Sequence, residues 1–118
     1  MTTTTLMLTG KSGMVYSFTP YAFGLWPYPV EGVYAIVSAA GSPPPWGTPV
    51  VIRIGKTEDL KRRQGQYQTD KEVLQYNPTH FCVLPVVEAW RRTVIEYDLI
   101  PAYNPPANHQ LVQGEQPK

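Results

Sequence analysis

A single cysteine, Cys82, cannot close an internal disulfide, so no covalent cross-link within the chain holds this fold, and a reducing compartment suits it. Within Phe81-Cys82-Val83-Leu84 its thiol reads as a small core group. Charge is also scarce. Charged residues make up 16% of the 118, against a usual ~25%, and the formal net charge is +1. No global field therefore draws the chain to a polyanion, and any such binding has to come from local patches. No apolar run approaches the ~20 residues of a membrane span. Residues Met1 to Thr9 have neither a basic start nor enough apolar length for a secretion signal. These absences lead to an expectation of a cytoplasmic protein with no membrane contact. There is no internal repeat, and no zinc-finger or helix-turn-helix pattern.

What is plentiful is proline. The 13 prolines exceed the usual ~5% about twofold, and they cluster at 20–29, 43–45 and 101–106. Residues 1–30 read as a partly irregular N-terminal extension, Thr-, Gly- and Ser-rich at first. The extension ends in an aromatic, proline-punctuated lead-in, Pro20 to Pro29, whose rings are expected on the core. Val33 to Ala40 and Val50 to Gly55 are β-branched and predict two strands, joined by a Gly41–Pro49 loop. Thr57 is the predicted N-cap of a polar helix running through Arg63 and Tyr67, with Leu60 as its apolar anchor. Lys71 to Tyr76 extends that helix or forms a short second one. Thr79 to Val86 predicts a third strand. Glu88 to Leu99 predicts a helix with Trp90, Val94, Ile95 and Leu99 as its apolar residues, stopping or kinking before Pro101. The fold class is α+β: a small three-stranded antiparallel sheet flanked by helices over 31–108, with a flexible tail over 109–118.

Chemistry concentrates in a few positions. On the helix after Gly55, Arg63 and Tyr67 are four residues apart and share a face, where a guanidinium and a phenol could grip a phosphate together. Glu96 lies on a separate helix, and one carboxylate with waters and substrate oxygens is a normal way to hold Mg²⁺. Alternation along Val50 to Gly55 puts Val51 and Arg53 on one side, with Ile52 and Ile54 on the other as core. Arg53 is thereby expected to face the same cleft as Tyr34 and Arg63. Structural readings stand beside these. Arg92 and Glu96 are spaced for a surface ion pair worth ~0.3–0.5 kcal/mol. Lys61, Arg62 and Arg63 fit a solvated helix face, Tyr34 fits a core aromatic, and Asn108 fits a proline-rich turn. His80 and His109 are too far apart to suggest a metal pair.

The order of these residues resembles the GIY-YIG nuclease superfamily. Gly32-Val33-Tyr34 is similar to its first motif and Arg53-Ile54-Gly55 to its second. Gly55-Lys56-Thr57-Glu58-Asp59-Leu60-Lys61-Arg62-Arg63 resembles the continuation that ends in the family's catalytic arginine. Tyr67 falls where the family has a tyrosine or histidine, Glu96-Tyr97-Asp98-Leu99-Ile100 resembles its metal-binding helix, and Asn108 its closing asparagine. The resemblance covers residues 32 to 108. It implies a metal-dependent DNA endonuclease that hydrolyses phosphodiesters with Mg²⁺ or Mn²⁺. On that reading Tyr34, Arg63, Tyr67, Glu96 and Asn108 are the catalytic set, and Glu96 is the metal ligand. Arg53, Lys56, Lys61 and Arg62 would contact nucleic acid. Specificity would come from a protein partner, self-association or DNA structure. The chain departs from the pattern at Arg53, which replaces a tyrosine, at the long 41–49 connection and at Pro101. The alternative is a weakened module of the same fold that binds nucleic acid or a protein partner.

Overall fold

A computed structural model of the chain describes residues 5–25, 27–39 and 49–108. The predicted tail over 109–118 and most of the 41–49 connection lie outside them. Five strands and three helices follow in the order β1 (Leu6–Thr9), β2 (Val15–Ala22), β3 (Gly32–Ser38), β4 (Val50–Thr57), α1 (Leu60–Tyr67), α2 (Lys71–Leu74), β5 (His80–Pro85) and α3 (Ala89–Tyr103). The strands form one antiparallel sheet ordered β1-β2-β5-β3-β4. The α+β class is as expected, but the sheet has five strands rather than three. The two extra ones come from the N-terminal extension.

Both added strands have a physical basis. Leu6 and Leu8 on β1 are buried with Phe18 on β2, while Met7 between them is exposed, a period-2 pattern. The turn between them is held by α3. Ser12 donates its backbone N–H and its hydroxyl to the Asp98 carboxylate at 2.8 and 2.6 Å, and Tyr16 donates its hydroxyl at 2.8 Å. Pro20 sits inside β2, opposite Cys82. It falls in the half of β2 beyond the end of β1, where no described residue pairs with the outer edge of β2. Of the aromatic lead-in, Tyr21 and Phe23 pack on the core as expected, whereas Tyr28 is exposed.

The sheet is covered on both faces. On one, α3 packs Ile95 and Leu99 against Leu6, Leu8, Phe18, Val33, Ala35, Val37 and Cys82. On the other, Leu60, Tyr67 and Val73 of α1 and α2 pack against Tyr34, Ile36, Ile52, Phe81 and Val83. This explains why β3 is buried without alternation: each residue of Val33 to Val37 meets one layer or the other. Gly32 has its own reason to lack a side chain, since a Cβ there would press on the Leu84 carbonyl and on Leu60.

Three local expectations are corrected. The N-cap of α1 is Asp59, not Thr57, and its carboxylate accepts from the Arg62 N–H at 3.0 Å. Thr57 ends β4 and accepts from the Asp59 N–H, which fixes the turn into the helix. Pro101 does not stop α3, which runs on to Tyr103 and closes at Asn104 in the left-handed conformation. The carbonyl deprived of its partner by Pro101 is that of Tyr97, on the outer face where water can serve it. Inside, Leu99 is fully buried and the Tyr103 hydroxyl accepts from the Thr9 N–H at 2.8 Å, so packing holds the last turn. Finally, Trp90 and Val94 point outward, 68% and 54% exposed, and only Ile95 and Leu99 of the four apolar residues enter the core.

The outer edge of β4 is closed by the segment after α3. Asn108 accepts from the Ile54 N–H and donates to the Ile54 carbonyl, both at 2.8 Å, and Ala107 N–H donates to the Ile52 carbonyl at 2.9 Å. One side-chain amide thus acts as a one-residue strand. Replacing Asn108 with Ala leaves two buried backbone groups of Ile54 unpaired, and urea denaturation should show a loss of about 2–3 kcal/mol.

Candidate active site

The site is assembled around Gly55, the single glycine of β4. A Cβ at this position would overlap the ring and hydroxyl of Tyr34, so the missing side chain lets Tyr34 lie across the strand. Tyr34 stacks on Phe81 with ring centroids 5.2 Å apart, which fixes its direction. Its hydroxyl meets that of Tyr67 at 2.5 Å. Arg53 completes the cluster: its Nε donates to the Tyr67 hydroxyl at 2.6 Å and its Nη1 to the Ala107 carbonyl at 3.3 Å. The guanidinium also lies 5.6 Å from the centre of the Tyr67 ring.

Arg53 shares a face with Tyr34 as the alternation predicts, but Val51 and Ile52 do not lie where it put them. The pairing of β3 with β4 slips between Ile36 and Val37: Ile36 faces Arg53 while Val37 faces Val51, and Ile52 is the extra residue of a bulge. Parity therefore reverses. Val51 joins Ile54 in the layer under α3, and Ile52 joins the Tyr34 layer on the side of Arg53. The strand's expected division into Val51 with Arg53 and Ile52 with Ile54 is corrected.

Electrostatics sets what each group can do. Burial, reinforced by the neighbouring Tyr67, holds the Tyr34 phenol well above its ordinary range, and the Arg53 charge offsets this only in part. Tyr34 keeps its proton at neutral pH and is 1% exposed. It can orient or relay a proton but cannot begin a cycle as a base. The two phenols raise the Arg53 pKa further despite the cost of burying it, so the guanidinium stays charged.

Beside this cluster, the end of β4 and the starts of α1 and α3 enclose a cleft of about 480 Å³. Lys56, Arg62, Arg63 and Arg92 supply its cations, and Glu58 and Asp59 its anions. Lys61 is exposed and is not part of this lining. Arg63 and Tyr67 are four residues apart, yet Arg63 lines the cleft while the Tyr67 hydroxyl is held by Tyr34 and Arg53, so the two do not form a joint phosphate grip. Arg92 is the functional candidate that spacing missed. It is buried, and its Nη1 donates to the carbonyls of Val86 and Val87 at 2.9 and 2.8 Å, not to Glu96 as an ion pair. Its position four residues before Glu96 was the available signal.

Glu96 lies one turn beyond Arg92 and Thr93 on α3, half-buried. Burial raises its carboxyl pKa, and the charges of Lys56 and Arg53 oppose that rise. No hydrogen bond from a described residue reaches the carboxylate. Its neighbour Asp98, by contrast, is occupied by Ser12 and Tyr16, and the bonds from Ser12 hold its carboxyl below the usual range. A half-buried carboxylate without hydrogen-bond donors fits a cation ligand. No group of three metal-ligating side chains occurs among the described residues, so a cation here would draw its remaining ligands from water and substrate. Asn108 stands apart from the cleft, on the β4 edge beside Arg53.

The hydroxyl cluster is testable as a unit. Tyr67→Phe leaves the Arg53 Nε and the Tyr34 hydroxyl without their partner and should lower stability by about 1–3 kcal/mol. Tyr34→Phe and Tyr67→Phe share one hydrogen bond, so the double variant should lose less than the sum of the two, as denaturant titration of a double-mutant cycle would read.

No family model, no characterised protein and no solved structure matches this chain.

Proposed function

We propose that this chain is a small metal-dependent endonuclease that hydrolyses phosphodiester bonds in DNA. The observation that carries the reading is the cation-rich cleft lined by Lys56, Arg62, Arg63 and Arg92, with Glu96 one turn along α3 from Arg92 and Thr93, in the field of Lys56 and Arg53 and without a hydrogen bond from any described residue. A chain of net charge +1 has placed four cations around one concavity, which suits a polyanion's backbone.

In this reading the phosphate backbone enters the cleft against Lys56 and Arg62. Arg63 places its fork on the scissile phosphate and stabilises the charge that grows on its non-bridging oxygens as water attacks. Arg92, anchored by the Val86 and Val87 carbonyls, presents a fixed positive charge at the rim. Glu96 would hold Mg²⁺ or Mn²⁺, which when bound supplies Lewis-acid polarisation of the scissile phosphate. Tyr34 retains its proton and, bonded to the Tyr67 hydroxyl, orients the attacking water through an intervening water. Arg53 acts mainly behind them, fixing the Tyr67 hydroxyl. Asn108 holds the strand that carries Arg53 and Gly55.

A second reading has one observation in its favour. Arg53 stands where the resembled motif has a tyrosine, and its Nε is already engaged by Tyr67. That would suit a module that binds nucleic acid or a protein partner with little turnover.

A plasmid nicking assay with and without divalent metal separates the two. For the enzyme, Arg63→Ala should cost ~3 kcal/mol or more in transition-state stabilisation. Arg62→Ala should mainly weaken binding in a salt-dependent way. Equal small effects at both positions, or no metal-dependent nicking by the unaltered chain, would leave the binding module.

Glu96 gives a pH prediction with a definite sign. Its folded-state pKa is raised, so its contribution to stability is full below the unfolded value and is lost as pH rises through the folded value. Metal needs the carboxylate, so metal-dependent cleavage should fall as pH drops through that same raised value. Glu96→Gln should abolish cleavage yet unfold at a slightly higher temperature at neutral pH, because it removes a half-buried charge. Full activity in Glu96→Gln would place the metal elsewhere.

A further inference from the structure

The outward side of α3 has no counterpart in the site just described. Trp90, Val94, Tyr97 and Pro101 recur on α3 at intervals of four, three and four residues, and all four are exposed, as is Val87 just before the helix. Trp90 and Tyr97 are 68% and 77% exposed, among the most exposed large apolar groups among the described residues. A surface helix ordinarily turns such residues inward, as α3 does with Ile95 and Leu99 on its opposite side. Alternating three- and four-residue spacing is the seam of two paired helices, in which each side chain sits between those of the facing helix.

We infer that α3 pairs antiparallel with α3 of a second copy of this chain, burying this seam in a two-fold homodimer. The charges at its margin select both the partner and the direction. Arg91 and Asp98 occupy equivalent positions along one flank of the seam, seven residues apart and of opposite sign. When two copies run antiparallel, like flanks meet, and Arg91 of each copy comes beside Asp98 of the other. Run parallel, that flank meets the opposite one, which offers Thr93 and Ile100 and no charge of either sign. Asp98 is suited to the part, because its bonds to Ser12 and Tyr16 fix it in place. The antiparallel alignment also sets Val94 against Tyr97 and the Trp90 ring against Pro101, each twice by symmetry. Covering these side chains on both copies removes on the order of 1,000 Å² from water, the lower bound for a specific interface. The dimer is independent of the nuclease reading, since neither Glu96 nor the arginines of the cleft belong to the seam.

Sedimentation velocity on the full chain is the test. A concentration-dependent dimer is expected at micromolar protein, and Val94→Glu should weaken it by roughly a hundredfold by burying a charge against the Tyr97 ring of the other copy. Val94 is already half-exposed, so circular dichroism of that variant should be unchanged. Orientation is read by oxidative cross-linking, since Cys82 is fully buried with its thiol pushed up to about 12 and stays silent. Mixed Val94→Cys and Tyr97→Cys chains should join to each other faster than Val94→Cys joins to itself. A wild-type chain that stays monomeric would overturn the dimer and leave the stripe to a different protein. A dimer indifferent to Val94→Glu, or one that cross-links mainly 94 to 94, would overturn it equally.

Discussion

The contact between the Tyr34 and Tyr67 hydroxyls ties together the parts that every other feature of the site assumes. Tyr34 belongs to β3 and Tyr67 to the last turn of α1, and Arg53 of β4 bonds to the same oxygen. Three elements are thereby fixed at one buried point. A hydroxyl shared in this way has to be supplied with partners once it leaves water, since an unpaired buried polar group costs as much as several good contacts return. The cluster meets that need internally, and the arrangement is possible only because Gly55 leaves room for the Tyr34 ring. Position of α1 follows, and with it the direction of Arg62 and Arg63 into the cleft.

Some of this was legible in the residues and some was not, for identifiable reasons. The apolar run at Val33, the strand at Val50 and the helical stretch at Glu88 were readable because each has composition and period on its side. The buried status of Cys82 was readable from its neighbours. The N-terminal hairpin was missed because its apolar residues were read as part of a Thr-, Ser- and Gly-rich stretch that opens with four consecutive threonines. Its signal was narrower, the alternation of Leu6 and Leu8 with Phe18 across a turn at Gly13, whose φ of 94° needs glycine. The bulge at Ile52 could not have been read, because strand parity there depends on the pairing with β3 rather than on β4 itself. That single extra residue exchanged the faces of Val51 and Ile52 while leaving Arg53 where the alternation had put it. Pro101 shows a local preference overruled by packing, since Leu99 and Tyr103 secure the turns around it.

The same residues show why a motif and its geometry carry different information. The spacing from Arg63 to Tyr67 puts their Cβ atoms on one side of α1, yet one side chain ends in the cleft and the other under it. Spacing fixes directions near the backbone, and length then decides: a phenol reaches the neighbouring strand's hydroxyl, while a guanidinium on a longer stem reaches past it to the rim. Arg92 and Glu96 make the same point from the other side. They have the spacing of an ion pair, but the two carbonyls at the β5–α3 junction capture the guanidinium first. Glu96 is left without that partner, and the absence is what makes it available for other chemistry.

A chain with so few charges gains something from this distribution. Arg53 and Arg92 are largely withdrawn from solvent and bonded to neutral oxygens, three carbonyls and a phenol, and Glu96 acts on Arg53 through its field rather than through a bond. Bonding to neutral acceptors holds a guanidinium in place while its field persists, and a low-dielectric wall weakens screening of that field by salt. Surface cations such as Lys61 lack that protection. The potential in the cleft therefore depends less on how many basic residues the chain has than on how two of them are anchored. A net charge of +1 is compatible with a concavity whose lining holds four cations against two anions. The same anchoring holds both side chains in place, because moving either guanidinium would break its bonds to α1, the β5–α3 junction or the closing segment at Ala107. Positive charge and fixed position thus come from one set of hydrogen bonds, which is what stabilising charge that develops at a defined point requires.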